Sequence, residues 1–247
     1  MEDARGGLGS VLCLHGLGGG PYELGPLVEA LREAGRRVDA PALPGHEGPG
    51  PSMPASTWPE WVAAAEAWFD DLNSGDRPPA VLGFSTGAII ALHLATRREV
   101  DRLVLLAPFL AIRYTGWLPF HPAPILRATA WLTPVVPRRS PPVRDPAMKA
   151  EAAKLDRFRN FNLHAALSAL DLIEEVKPRV GSIQAPALII QGRLDTVVEP
   201  SGATWLHRHI GSTEKHLIEL PATDHLIALD RDRERVIEAV ESFLAGR

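Results

Sequence analysis

The chain has 247 residues, 45% hydrophobic and 23% charged, an ordinary globular composition that can build one α/β domain with an insertion. A net charge of −4 leaves no footprint for nucleic acid, and a single cysteine excludes an internal disulfide. The stretch Met1–Gly7 lacks the apolar core of a secretory signal and no apolar run approaches about 20 residues, so a cytoplasmic protein without a transmembrane segment is expected.

Apolar, strand-like runs alternate with helical patterns along the chain. Strands are expected at Val11 to His15, Arg37 to Ala42, Ala80 to Phe84, Leu103 to Ala107, Ala187 to Gln191 and His216 to Leu220. Runs such as Leu103-Val104-Leu105-Leu106 and Leu188-Ile189-Ile190 suit strands buried on both faces, hence a parallel sheet. Helices are expected at Pro21 to Ala34, Trp58 to Leu72, Thr86 to Thr96, Ser201 to Ile210 and Arg231 to Leu244, with Pro21 and Pro59 placed for first turns and Gly35 and Gly211 for C-terminal caps. The order is that of a doubly wound α/β fold.

The alternation breaks between Pro108 and Val180. Residues 108–146 hold nine prolines with no strand–helix rhythm, yet are apolar at Trp117, Phe120, Ile125, Leu126, Trp131, Leu132, Val135 and Val136. A surface loop this apolar is unfavourable, so the segment reads as a folded cap, with helices at Ala147 to Arg159 and Asn162 to Val180. The domain expectation is a core of residues 1–107 and 181–247 with an inserted cap and return helix at 108–180. Between Leu110 and Asn160 nine Lys or Arg face three Asp or Glu. That excess reads either as a solvated rim or as attraction to an anionic substrate or interface, such as a weak contact with lipid.

The most informative residues are Gly83-Phe84-Ser85-Thr86-Gly87, between an apolar strand and an apolar helix. Strand, sharp turn and helix is the setting of a nucleophile elbow, and its glycines allow the two backbones to approach closely. A serine hydroxyl needs a base within reach, and the base needs an orienting carboxylate. Asp195 lies just past one late strand and His225 just past the next, both at the carboxyl edge where open sheets place their sites. Of the nine histidines, His93, His207 and His209 fall in helices, and only His225 lies in a late post-strand loop. Asp224, its neighbour, reads as solvated. Between the first strand and helix, Leu14-His15-Gly16-Leu17-Gly18-Gly19-Gly20 offers backbone N–H groups, and Leu17 with Thr86 makes the natural oxyanion pair. A dinucleotide fingerprint fails there because Pro21 stands where its third glycine belongs, and no H-E-x-x-H or cysteine cluster supports a metal.

Leu14-His15-Gly16-Leu17, Leu43-Pro44-Gly45-His46, Gly83-Phe84-Ser85-Thr86-Gly87, Gly192-x-x-Asp195 and Asp224-His225, in this order over most of the chain, resemble the α/β-hydrolase superfamily, in particular small carboxylesterases and monoacylglycerol lipase-like enzymes. The resemblance implies an α/β-hydrolase fold with a mostly parallel sheet and an inserted cap, no cofactor, and hydrolysis of a small-molecule ester with an apolar acyl chain. It gives Ser85, His225 and Asp195 the triad roles. The cap residues Trp117, Phe120, Leu126, Trp131 and Leu132 then line the acyl site or form the core of the cap. Thr86 departs from the bulky apolar residue often found after the serine. A thioesterase, lactonase or carbon–carbon hydrolase on this fold, or a non-catalytic ligand-binding protein, stays open at this point.

Overall fold

The computed structural model describes residues 8–47, 50, 52–73, 75, 77–113, 127, 135–137, 140–155 and 158–246. Its strands are β1 (Val11–Leu14), β2 (Val38–Asp39), β3 (Ala80–Phe84), β4 (Leu103–Leu106), β5 (Val135–Pro137), β6 (Asn160–Asn162), β7 (Ala187–Gly192) and β8 (Lys215–Leu220). The α-helices are α1 (Gly25–Glu33), α2 (Trp58–Leu72), α3 (Thr86–Ala95), α4 (Pro146–Ala152), α5 (Leu163–Val176), α6 (Ser201–His209) and α7 (Arg233–Leu244).

Six strands form one parallel sheet in the order β2-β1-β3-β4-β7-β8. Alternate side chains feed two cores. Leu12, Leu14, Leu103, Leu105 and Ile189 pack with α2, α3, α5 and α6 on one face. Val11, Cys13, Leu82, Val104, Leu106 and Ile190 pack with α1 and α7 on the other. Covering both faces is what a parallel sheet of continuous apolar strands requires. The strand order reverses between β1 and β3, so the loops leaving these two strands diverge and open a crevice at the carboxyl edge. Helix α3 lies under that crevice and is buried from Thr86 to Leu94, which explains its apolar run Ala88-Ile89-Ile90-Ala91-Leu92.

Several boundaries differ from the sequence expectation for physical reasons. The second strand shrinks from Arg37–Ala42 to two residues because it is an edge strand and Pro41 has no N–H to extend the ladder. The first helix divides into a 3₁₀ turn at Pro21–Leu24 and α1, since Pro26 fits a first turn and not a helix interior. The expected helix 147–159 ends at Ala152, because the chain must extend into β6 and bury Phe158 beside His46, with ring centroids 6.2 Å apart. The return helix starts where the Asn162 side chain accepts from the N–H groups of His164 and Ala165, and it tightens to 3₁₀ at Lys177–Ser182, where Pro178 lies. Sequence reading missed the antiparallel pair β5–β6, whose strands are only three residues each. Trp117, Phe120, Leu126, Trp131 and Leu132 lie outside the described residues.

Candidate active site

The turn from β3 into α3 holds Ser85 at φ 54° and ψ −116°, a left-handed conformation costly for a residue with a Cβ. The turn can form because a glycine stands two residues to either side, at Gly83 and Gly87. A Cβ on Gly83 would strike the backbone of Gly87 and Ala88, and one on Gly87 would strike the carbonyl oxygens of Leu14 and His15. The strand, the elbow and the neighbouring β1 loop are therefore packed backbone to backbone, and the Ser85 hydroxyl is presented at the sheet edge.

Three side chains from three loops converge there. The Ser85 Oγ–H donates to His225 Nε2 at 3.0 Å, and His225 Nδ1–H donates to Asp195 Oδ2 at 2.8 Å. Asp195 is fully buried, and His225 and Ser85 are 5% and 7% exposed. The Asp195 carboxylate also accepts from the N–H groups of Val197 and Val198, each at 2.8 Å, and from Gln191 Nε2 at 3.0 Å. Burial pushes Asp195 up, but His225 and these N–H donors outweigh it and hold the carboxyl below its ordinary range. Burial likewise pushes the His225 imidazole down. The charge and hydrogen bond of Asp195, with the charges of Glu23 and Asp224, outweigh this and hold it above an ordinary histidine.

The loop after β1 faces the serine. A Cβ on Gly16 would lie 3.1 Å from the Phe84 ring and 3.2 Å from Ser85 Cβ, so glycine lets the loop approach the serine without crowding it. Its backbone is fixed by side chains. Gly16 N–H donates to Glu23 Oε2 at 3.1 Å, and Gly18 N–H donates to His46 Nε2 at 2.9 Å. His15 Nδ1–H donates to the Gly16 carbonyl at 2.9 Å, and His15 Nε2 accepts from Leu43 N–H at 2.9 Å. Buried and beside His46, His15 has its pKa pushed down to about 3, so it holds this loop as a neutral ring. Among the described residues, no protein group accepts from the N–H of Leu17 or of Thr86. These two donors belong to the loop after β1 and to the first residue of α3.

The structure also shows what the sequence reading missed. Asp224 is buried, not solvated, and binds the loops of both Asp195 and His225. Glu23 is buried under the Gly16 turn, and its sequence signal was an acid four and eight residues ahead of Leu27 and Leu31, on an otherwise apolar stripe. Asp230 carries no local signal, because Arg144 and Asp145, whose N–H groups donate to it, lie 86 and 85 residues away, whereas Gln191 bonds locally to the Gly192 carbonyl and to Asp195. Among the described residues, no cluster of His, Cys, Asp and Glu is arranged to hold a metal.

A parallel sheet with a strained serine elbow, and a Ser–His–Asp chain assembled from successive strand ends, defines the α/β-hydrolase class. The chain belongs to the Hydrolase_4 family, described as serine aminopeptidase, S33, whose model matches residues 8–232. It is 28% identical over 245 residues to the thermostable monoacylglycerol lipase of Bacillus sp. (strain H-257), covering 98% of this chain and 92% of that one. It is 25% identical over 247 residues to a carboxylesterase of Bacillus subtilis (strain 168), covering 97% and 94%. The solved structure of a monoacylglycerol lipase from Paleococcus ferrophilus superimposes with a TM-score of 0.83 at 22% identity, covering 96% of this chain and 94% of that one, which establishes the shared fold.

Proposed function

We propose that the protein cleaves short to medium acyl esters or monoacylglycerols through an acyl-enzyme on Ser85. That it is a carboxylic ester hydrolase of the α/β-hydrolase type rests on the family match and on relatives named lipase and carboxylesterase. The observation that carries the finer reading is the unbroken hydrogen-bond chain Ser85–His225–Asp195.

In this reading His225 Nε2 takes the Ser85 proton as Oγ attacks the ester carbonyl, and Asp195 holds the imidazolium that forms. The N–H groups of Leu17 and Thr86 receive the oxyanion. His225 then gives its proton to the leaving alcohol, and in the second half-reaction takes one from the water that releases the acid. Residues 108–180 act as the cap, and its apolar residues make the site favour an acyl chain over a charged substrate.

A series of p-nitrophenyl esters from C2 to C16, together with a monoacylglycerol, tests this reading with Ser85→Ala as control. Turnover confined to wild type, with a maximum at a short to medium chain length or on the monoacylglycerol, supports it. Preference for a matched thioester or lactone over every ester would move the substrate assignment to that bond.

A further inference from the structure

Asp224 makes more contacts around His225 than a solvated neighbour would. Its Oδ1 accepts from Thr196 N–H at 2.8 Å, from Thr196 Oγ1–H at 2.8 Å and from His225 N–H at 2.9 Å. Thr196 follows Asp195 directly, so one oxygen joins the backbone beside the acid to the backbone of the base. Oδ2 faces Arg144 Nε at 3.2 Å, and Arg144 Nη2–H donates to the Leu194 carbonyl at 3.0 Å, one residue before Asp195. The same Arg144 comes from the inserted segment, whose backbone is anchored a few ångströms away. Arg144 N–H and Asp145 N–H donate to Oδ2 and Oδ1 of the fully buried Asp230, each at 3.0 Å, and Asp224 N–H donates to Asp230 Oδ2 at 2.8 Å.

We propose that Asp224 is a positioning residue that keys the Asp195 loop to the His225 loop, and that Arg144 ties this key to the inserted segment. The proposal rests on the Ser85 reading above. The 2.8 Å contact between Asp195 and His225 spans two loops whose first residues are joined by backbone, Leu194 N–H donating to the Thr223 carbonyl at 3.2 Å, and Asp224 extends that pairing to the residues that flank the acid and the base themselves. The geometry makes the seating of the inserted segment and the alignment of the acid–base pair one event, because one guanidinium touches both loops.

The electrostatics give a readout that a purely structural role would not move. The charged groups facing His225 or the two loops are Asp195, Glu23, Asp224, Asp230, Arg144 and Arg113, whose guanidinium donates to the Asp195 carbonyl. Removing the Asp224 charge lowers the midpoint of the acid limb, since an anion near the imidazole is lost. Removing the Arg144 charge raises it, since Asp224 is left uncompensated.

The experiment follows the second-order rate of Ser85 phosphonylation by a fluorophosphonate probe against pH. It compares wild type, Asp224→Asn, Arg144→Gln, the double variant and Asp224→Ala. Asp224→Asn keeps an acceptor for the three Oδ1 bonds and is expected to lower the midpoint with a modest rate loss. Arg144→Gln is expected to raise it, and the double variant to follow Asp224→Asn. Asp224→Ala loses every bond and is expected to fall about ten- to hundredfold in rate. If Asp224→Ala does not fold, the other three variants decide. Midpoints unchanged from wild type in both single variants overturn the proposal whatever the rates do. A wild type not labelled at Ser85 overturns the underlying enzymatic reading instead.

Discussion

At the residue scale, the account turns on which atoms carry protons. His225 acts as a base only when neutral, and its surroundings hold it above the ordinary value of 6.5. The rate should therefore rise with pH along an acid limb whose midpoint lies above 6.5, measured as kcat/KM for an ester between pH 5 and 9. A midpoint at or below 6.5 would contradict the electrostatic description. Ser85→Ala and His225→Ala should each lower kcat by roughly 10⁴-fold or more, leaving only binding and oxyanion effects. Asp195→Asn should cost a comparable factor, about 10⁴, because an amide no longer enforces the tautomer with the proton on Nδ1. The structure draws Ser85, Asp195 and His225 together from up to 140 positions of separation, and the serine elbow, the strand ends and the order of the three pointed to them in the sequence. Each lies just past an apolar strand, where a turn residue stands out from its surroundings. Asp224, Asp230 and Gln191 were illegible for the opposite reason. Their types are common at surfaces, and their burial follows from partners 28 to 86 residues away for the two aspartates.

At the scale of elements, the elbow is a packing problem solved by glycine. Gly87 leaves no volume between α3 and the end of β1, so Gly87→Ala must move one backbone from the other. The expected cost is about 1–3 kcal/mol in denaturant unfolding, with a loss of activity larger than the loss of folded protein. A variant of full stability and full activity would show that the close approach is dispensable. The strands and helices that build the sheet were readable because continuous apolar runs and amphipathic stripes repeat over many residues. Trp58–Leu72 and Ala80–Phe84 appear in the structure with the expected bounds. The β5–β6 pair was not readable. Three-residue strands have too little periodicity, and long-range contacts define them: β5 and β6 pair across about 25 residues, and Asn160 of β6 also bridges to Ser52.

At the scale of the molecule, the loop beside the serine and the second-strand exit are held together by His15, a neutral ring, and by His46. His15 titrates near 3 when folded against 6.5 unfolded. Its folded value is depressed, so its contribution is complete above pH 6.5 and is lost as pH falls toward 3, on the order of 2 kcal/mol by pH 5. His225 works with the opposite sign, since its raised value adds stability below pH 6.5 that is lost as pH rises through the folded value. The stability gap between wild type and His15→Asn, from denaturant unfolding, isolates the first effect and should narrow by roughly 2 kcal/mol between pH 7.5 and pH 5. A gap that does not change with pH would mean that His15 is not held neutral. Part of the inserted segment's positive charge is also engaged internally, through Arg127 with Asp171, Arg144 with Asp224 and Lys154 with Glu151. Composition alone could not distinguish such pairing from a free basic face.

The most direct test of the central claim is covalent. Purified protein and its Ser85→Ala variant are incubated with a fluorophosphonate probe, and the adduct is located by peptide mass spectrometry. The account predicts one adduct at Ser85, formed in step with loss of ester hydrolysis and absent from the variant. Folded wild-type protein that hydrolyses esters yet carries no adduct at Ser85 would contradict it.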